Sequence, residues 1–496
     1  MTNDRARWNA LNVLCLGVLM IVLDVTVANV ALPAIQQDLD FTQSSLAWVI
    51  NAYMISFAGL LMLSGRMGDL VGRRNVFVFG LGLFALASAL CGFAQTREML
   101  VAARFLQGAG GAMSSAVALG IIITLFPEPQ ARARALGRYA FVASAGGSVG
   151  LLAGGVLTDS ISWHWIFFIN VPIGILTVLL SMRLIEQDTG VGIKQGLDVP
   201  GAVLITGALM LGVYTIVEPA AKRGWGDSLV LELGGCAVAL LVLFVIREAM
   251  ATTPLMPLRI FRTRSIAVAN IVQVLSVAGM FGMFFLGALY IQGVLRFDPL
   301  ETGLAFLPAT VIMGVLSWRY SERLVTRFGA WACLMAGLLL TIGALLLFSI
   351  APVDGDYVRH VLPVMLLLGF GGGISFPAIM NLAMSGATPQ DAGLASGVVG
   401  TAAQVGGALG LAVLATVASD RTQELVAAGT AVPDALTSGY HRAFLLAAGL
   451  VAAGTLAATL LRSVAVAAVP HHGQDAIEPA PMPTIDQESD GAFAQR

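Results

Sequence analysis

The chain has 496 residues, of which 57% are hydrophobic and only 11% are charged. Soluble globular proteins carry about 25% charged residues, and the mean hydropathy of this chain is +0.85. This composition excludes a water-soluble globular protein, and the formal net charge of -2 does not predict a nucleic-acid partner.

Fourteen apolar runs follow one another along the chain, each close to the roughly 20 residues that a transmembrane helix needs. Their length and all-round apolar character favour helices over the short alternating strands of a β-barrel. We therefore expect an all-α integral membrane protein with fourteen transmembrane helices. The predicted spans are 11–32, 46–64, 76–95, 100–126, 136–158, 165–183, 200–217, 228–247, 266–291, 301–317, 331–350, 360–385, 395–418 and 441–463.

The distribution of basic residues predicts the orientation of these spans. With both termini in the cytoplasm, nineteen of the 27 Lys and Arg residues fall in cytoplasmic segments and seven in external ones. The remaining one, Arg104, lies within a span. Cytoplasmic loops of membrane proteins carry such an excess, so we expect a multi-pass protein of the cytoplasmic membrane.

Two halves of the chain look like repeats of one another. The loop after the second span carries Gly65 to Arg74, and the loop after the tenth carries a degenerate version with Leu324, Arg327 and Gly329. Paired halves with a site between them are a common transporter plan. We predict an N-terminal six-helix bundle (1–185), a two-helix insert with a cytoplasmic connector (186–265), a C-terminal six-helix bundle (266–464) and a disordered cytoplasmic tail (465–496).

Several motifs resemble the major facilitator superfamily, and more narrowly its fourteen-span branch of drug:proton antiporters. The chain carries these motifs in the order of that branch: LDVTVANVALP (23–33), GRMGDLVGRR (65–74), RFLQGAGGA (104–112) and WHWIFFINVPIG (163–174). Two positions depart from the branch. Leu151 follows Gly150 where a proline is usual, which leaves the direction of transport open, and His164 stands where arginine is usual.

The resemblance implies a proton-coupled antiporter that exports small organic compounds, such as drugs or antibiotics, by alternating access. It implies no enzyme activity and no bound cofactor, because the proton gradient supplies the energy, and it implies a protein that functions as a monomer. Two alternatives remain open at this point: a proton-coupled importer of a metabolite, and a membrane sensor without transport.

Asp24 is the one acidic residue deep inside a predicted span. A charged side chain at the centre of a bilayer costs about 2.5–3.5 kcal/mol on insertion scales and commonly marks a proton or ion pathway. Arg104 is the one base in such a position and shares a helix face with Gln107. We predict that these three residues couple transport to protons. The alternative is a structural role, with Asp24 bonded to a neighbouring helix through Thr26 or Asn29, and with Arg104 bonded to backbone carbonyls so that it ties helices together.

The loop with Gly65, Asp69, Gly72, Arg73 and Arg74 is predicted to form a tight cytoplasmic turn. The resemblance implies a conformational latch, in which Asp69 pairs with cytoplasmic arginines such as Arg134 or Arg138 in one state. The alternative is that the arginines only set the topology.

A glycine face is predicted on the fifth span, where Gly146, Gly150 and Gly154 recur every four residues and Gly155 follows. Small residues at this spacing let membrane helices pack closely. We expect either a sliding interface between the two halves or static packing.

The remaining polar residues predict little chemistry. Glu218 and Glu232 flank an external loop and are expected to be solvated. The four cysteines lie in apolar runs without paired spacing, and His471 and His472 have no further ligands near them, so we expect neither a disulfide nor a metal site. No ATP-binding glycine loop or nucleophile–base pair is present in the sequence.

Overall fold

The computed structural model describes residues 2–42, 44–188, 190, 198–252, 254–384 and 392–461. Fourteen long helices cover most of this part of the chain, in agreement with the predicted all-α fold. They are α1 Thr2–Asp38, α2 Trp48–Val71, α3 Arg73–Gly92, α4 Arg97–Leu125, α5 Pro129–Ser160, α6 Asn170–Leu184, α7 Val199–Thr215, α8 Ser228–Met250, α9 Arg264–Gly293, α10 Pro299–Val315, α11 Ala330–Phe348, α12 Leu362–Met384, α13 Ala392–Ala427 and α14 Val432–Thr459.

Twelve helical segments within the described residues are long and apolar enough to cross a membrane. The apolar parts of the other two helices, Val149–Ser160 in α5 and Pro299–Val315 in α10, are shorter. The structure therefore has a helix at each predicted span, while length and composition support twelve crossings rather than the expected fourteen.

Several helix ends have a clear local cause. The side chain of Thr96 accepts a hydrogen bond from the Met99 amide at the start of α4, and Asp298 forms a capping box with Glu301 at the start of α10. Such caps satisfy the free N–H groups of a first turn. Gly72 separates α2 from α3 with a φ of 97°, and Gly329 precedes α11 with a φ of 83°. Only glycine adopts this conformation without strain, and its recurrence at matching places supports the predicted repeat.

Helices close in sequence pack against one another in each half of the chain. In the first half α3 and α2 both pack on α4, and α1 packs on α5. In the second half α9 packs on α13 and α14, and α11 packs on α12. Contacts between the halves join α5 to α10, α2 to α13 and, less extensively, α1 to α9.

The insert helices α7 and α8 pack on each other, and α7 also packs on α2. A π-helical segment, Ile216–Ala220, continues α7 and contains Pro219. The Thr416 hydroxyl of α13 donates a hydrogen bond to the Ile216 carbonyl at 3.2 Å. The insert therefore contacts both halves beside the α2–α13 contact.

The glycine face of α5 packs against α1 and not against the other half. A side-chain carbon added to Gly150 would collide with Thr26, and one added to Gly154 would lie 3.0 Å from the Val27 backbone. One added to Gly146 would also meet α1. The expectation of a sliding interface between the halves is therefore wrong for these three glycines, because their shared face is turned toward their own half.

Gly155 instead lies at the contact between the halves. A side-chain carbon added there would lie 2.7 Å from the Leu300 Cα of α10. On the facing helix, a carbon added to Gly303 would meet the Leu151 carbonyl oxygen. The two backbones therefore touch near the end of α5, on the side of the molecule where α1 also ends, since the Trp163 indole donates a hydrogen bond to Asp38.

We predict that Gly155→Leu impairs transport, because overpacking a close helix contact costs about 1–3 kcal/mol and separates α5 from α10. Gly82→Leu is the matched control, since a carbon added to that glycine meets nothing within 4 Å. The measurement is movement of a fluorescent compound, the transport activity expected from the sequence, by variants present at equal levels in the membrane. Equal rates for the two variants would show that this contact is dispensable.

Candidate functional site

Asp24 lies in the middle of α1 with 1% of its surface exposed. Its Oδ2 accepts a hydrogen bond from Arg104 Nη1 at 2.5 Å, which is also an ion pair. Its Oδ1 accepts from Gln107 Nε2 at 2.6 Å and from Asn170 Nδ2 at 2.8 Å. All three contacts are N–H donors, and this arrangement stabilises the charged carboxylate.

Arg104 is fully buried and is held from several sides. Its Nε donates to the Val49 carbonyl of α2 at 2.8 Å, and its Nη1 also donates to Gln107 Oε1 at 2.6 Å. The guanidinium carbon lies 4.7 Å from the ring centre of Tyr53 and 5.7 Å from that of Phe167. Aromatic faces attract a cation at this distance, so the charge is surrounded by oxygen atoms and rings instead of hydrocarbon alone.

Gln107 connects the ion pair to α3. Its amide nitrogen donates to Ser88 Oγ at 2.7 Å, and its oxygen lies 3.7 Å from Cys91 Sγ. The cluster thus joins side chains or backbone of α1, α2, α3, α4 and α6. A buried pair is stable only when such further hydrogen bonds satisfy its polar atoms.

Asp24, Arg104 and Gln107, the residues predicted to couple transport to protons, lie in contact in the structure, while the alternative partners of Asp24 are wrong. Thr26 donates to the Val22 and Leu23 carbonyls, and Asn29 donates to the Val25 carbonyl. Both side chains therefore bond to their own helix instead of to the carboxylate.

The predicted latch loop forms a one-residue turn at Gly72, between α2 and α3. Asp69 pairs with Arg73, four residues later, at 3.1 Å. Arg73 also donates to Thr124 Oγ1 of α4 at 3.1 Å, and Arg74 donates to the Met182 carbonyl of α6. In this structure the partner of Asp69 is therefore Arg73 and not the expected Arg134 or Arg138.

Asp188 completes this loop and was not found from the sequence. Its carboxylate accepts hydrogen bonds from the backbone amides of Arg73 at 2.7 Å and Arg74 at 3.1 Å. These are the first amides of α3, whose positive end attracts an acid. Gly65 contributes little contact, since a side-chain carbon added there would meet only Ala116 at 4.0 Å.

Comparison with known proteins identifies the family. Residues 14–411 match the Major Facilitator Superfamily. The chain belongs to this superfamily. It is therefore a membrane transporter and not an enzyme.

Relatives within the superfamily match almost the whole chain. The puromycin resistance protein pur8 of Streptomyces alboniger is 38% identical over 483 residues, which cover 96% of this chain and 95% of the relative. The cephamycin export protein CmcT of Amycolatopsis lactamdurans is 37% identical over 443 residues, 88% of each chain. Among solved structures, the nucleoside transporter NupG has a TM-score of 0.64 at 13% identity and covers 92% of this chain and 100% of its own. That likeness shows the superfamily fold.

Within this superfamily fold, sequence reasoning missed two side chains of the buried cluster. Asn170 and Ser88 are both fully buried polar residues in apolar runs. An amide at such a position costs free energy unless it is hydrogen-bonded. An asparagine in the apolar motif at 163–174 therefore indicates a hydrogen-bond partner inside the protein, and this is how Asn170 could have been found from the sequence.

The remaining predicted residues lie away from this cluster. Glu218 pairs with Lys222 at the edge of a cavity of about 640 Å³ between α7 and the first turns of α2 and α4. Glu232 is exposed. His164 stacks on Trp163 with ring centres 3.7 Å apart, and burial lowers the pKa of its imidazole.

Metal and thiol chemistry find little support in the part of the chain that the structure describes. No group of three or more His, Cys, Asp or Glu side chains there is placed to hold a metal ion. Cys15, Cys91 and Cys333 are buried and Cys236 is exposed, and all four are free thiols. His471 and His472 lie outside the described residues.

We predict that Arg104→Leu lowers stability by about 3–5 kcal/mol, because it leaves the Asp24 carboxylate buried without its cation. The double variant Arg104→Leu with Asp24→Asn should recover a large part of this loss, since no buried charge then remains. Thermal unfolding in detergent measures both. A double variant no more stable than Arg104→Leu would show that lost packing of Arg104, and not the unpaired charge, causes the loss.

Proposed function

We propose that the protein is a proton-coupled antiporter that exports small organic compounds across the cytoplasmic membrane by alternating access. The observation that carries this proposal is the Asp24 carboxylate, buried in α1 and held by Arg104, Gln107 and Asn170. An acid buried in a membrane helix is a candidate proton carrier, and its bonds to three N–H donors depend on its charge.

Export is favoured over import by the relatives, whose names describe resistance to puromycin and export of cephamycin. A third relative, 36% identical over 417 residues, is a lincomycin resistance protein of Streptomyces lincolnensis. Moving a toxic compound out of the cell accounts for such resistance. These names also argue against a sensor that transports nothing, and they point to an antibiotic or a related metabolite as the substrate.

Fourteen crossings remain part of the proposal. α5 is a 32-residue helix in full, although its first half is more polar. α10 continues through a π-helical segment, Leu316–Tyr320, into a further helix, Ser321–Phe328. Both are then long enough to cross a bilayer at 1.5 Å per residue. If all fourteen helices cross the membrane, both termini are cytoplasmic and most Lys and Arg residues lie on the cytoplasmic side, as expected for a membrane protein.

The packing of helices within each half of the chain supports two six-helix bundles, α1–α6 and α9–α14, with α7 and α8 as the insert. Transport would then follow from rocking of one bundle against the other. No further protein subunit or bound cofactor is needed for this cycle, so we propose a functional monomer driven by the proton gradient.

With this orientation, the end at which α1 finishes faces outward, and the described conformer is closed there. Gly155 touches Leu300 across the halves, and Gln292 Nε2 donates to the Val30 carbonyl at 2.9 Å. The three N–H donors around Asp24 fit a carboxylate in this externally closed state. A proton taken up from outside would neutralise Asp24 and remove its attraction to Arg104, so that the two states differ in proton content.

The loop around Gly72 is proposed to act as the latch at the opposite, cytoplasmic end. Asp69, Arg73, Arg74 and Asp188 tie the start of α3 to α2, α4 and the segment after α6. Rocking would then move these helices as one body, because charge-assisted hydrogen bonds join them.

One proton per cycle supplies enough energy for useful export. A charge that moves through 100 mV is worth about 2.3 kcal/mol. Since a tenfold concentration ratio costs about 1.4 kcal/mol, a single net charge sustains a gradient of roughly 50-fold. A pH difference adds to this value.

Topology is tested by reporter insertion. A tag between Lys222 and Ser228 should be accessible from outside, and one at residue 190 should be cytoplasmic, because the single crossing of α7 separates the two sites and the crossing of α8 returns the chain to the cytoplasmic connector. A cytoplasmic result at 222–228 would contradict the fourteen-span arrangement.

The coupling role of Asp24 is tested by Asp24→Asn. Asparagine keeps nearly the same shape but cannot exchange a proton, so uphill export driven by a pH gradient should fall at least tenfold while downhill substrate exchange persists. Proteoliposomes with an imposed gradient measure both. Asp198→Asn is the matched control: Asp198 is also buried, caps α7 and pairs with Arg247, so the variant likewise removes a buried charge from an ion pair, while asparagine remains an equally good cap.

Uphill export by Asp24→Asn at the wild-type rate would exclude Asp24 as the coupling acid. Transport against the gradient in the opposite direction would overturn export itself.

A further inference from the structure

Among the partners of Asp24 in the described structure, the Asn170 side chain is the one with no second hydrogen bond. It is the first residue of α6 and is fully buried. Its Nδ2 donates to Asp24 Oδ1 at 2.8 Å, while its own Oδ1 is buried with no hydrogen-bond partner among the residues that the structure describes. A buried amide oxygen without a partner is costly and uncommon, so this atom calls for an explanation.

Gln107, the other amide at Asp24, is held in one orientation. Its oxygen accepts from Arg104 Nη1 at 2.6 Å, and its nitrogen donates to both Asp24 and Ser88. A half-turn of this amide would place nitrogen against the Arg104 guanidinium and oxygen against the carboxylate. A half-turn of the Asn170 amide breaks only its bond to Asp24.

We propose that Asn170 hydrogen-bonds Asp24 in both of its protonation states. In the described conformer the amide nitrogen donates to the carboxylate. Once Asp24 carries a proton, the amide turns over and its oxygen accepts from the carboxylic O–H, since an acid is a donor and an amide oxygen an acceptor. Asn170 is thus a positioning residue of the proposed proton site, and this inference rests on the proposed function.

The other groups that face Asp24 cannot take this second role. Arg104 from α4 has only donors. Cys91 from α3 directs its sulfur toward the Gln107 oxygen. Tyr53 from α2 presents its ring to Arg104, but its hydroxyl lies beside Gly111, where an added carbon would be 2.9 Å away. Gly111 is two helical turns, about 10 Å, beyond Arg104.

The test uses Asn170→Leu, which has a similar volume and neither donates nor accepts. Two readouts are measured on the full-length protein: the pH midpoint of uphill export in proteoliposomes, and the infrared C=O band of protonated Asp24, assigned by its absence in Asp24→Asn. We expect export to fall several-fold and the band to move to higher frequency, because the acid has lost its acceptor. The midpoint should move by less than about half a pH unit, since both protonation states lose one hydrogen bond.

Asn270→Leu is the matched control. Asn270 is a buried asparagine of α9 whose oxygen also has no partner within the described part of the chain, but its nitrogen donates to the Ile266 carbonyl of its own helix. This variant should leave the midpoint and the Asp24 band unchanged. If Asn170→Leu fails to reach the membrane, Asn170→Thr replaces it, because a hydroxyl both donates and accepts, and the Asp24 band should then stay near the wild-type frequency.

A midpoint that rises by about one unit or more in Asn170→Leu would overturn the inference, because it would mean that Asn170 serves the charged form alone. An unchanged infrared band in Asn170→Leu, or a shifted band in Asn170→Thr, would overturn it as well. Failure of the proposed function looks different: Asp24→Asn would then retain uphill export, whatever the Asn170 variants do.

Discussion

The ion pair between Asp24 and Arg104 is the constraint on which the rest of the structure depends. Both side chains are fully buried in helices that are long and apolar enough to cross a membrane. Removing two charges from water costs several kcal/mol each. The attraction between the two charges compensates for this cost only when further hydrogen bonds satisfy nearly all of their remaining polar atoms. Gln107, Asn170, Ser88 and the Val49 carbonyl supply most of these bonds, which is why five helices meet at one point. Among the described residues, Arg104 Nη2 and Asn170 Oδ1 have no hydrogen-bond partner.

This requirement also links structure to function. Asp24 accepts hydrogen bonds from three N–H donors, one of them on Arg104, and in the proposed cycle protonation removes its charge attraction to Arg104. In the described state the molecule is closed at the end where Gly155 meets Leu300. In the proposed cycle, proton content and helix arrangement are coupled through this one side chain, and a membrane potential acts on the equilibrium between the two arrangements.

How much of this could be predicted from sequence depends on the range of the interaction. Asp24 and Arg104 stand out alone as charges in apolar runs, and the Arg104–Gln107 spacing places both on one helix face. The partnership of Asp24 with Asn170 spans 146 residues, and no local pattern encodes it. Likewise, periodicity placed Gly146, Gly150 and Gly154 on one face but could not say that this face meets α1. Asp188 was missed for the same reason, since it lies 115 residues along the chain from Arg73, whose amide it accepts a hydrogen bond from.

The most direct test of the central claim is the number of protons released when substrate is added to the purified transporter in weakly buffered solution. If the Asp24 cluster is the proton site, the wild-type protein should release protons when substrate binds, and their number should decline as the starting pH is raised. Asp24→Asn should release none at equal substrate binding. Equal release by the two proteins would contradict it, because the proton would then be carried by another residue.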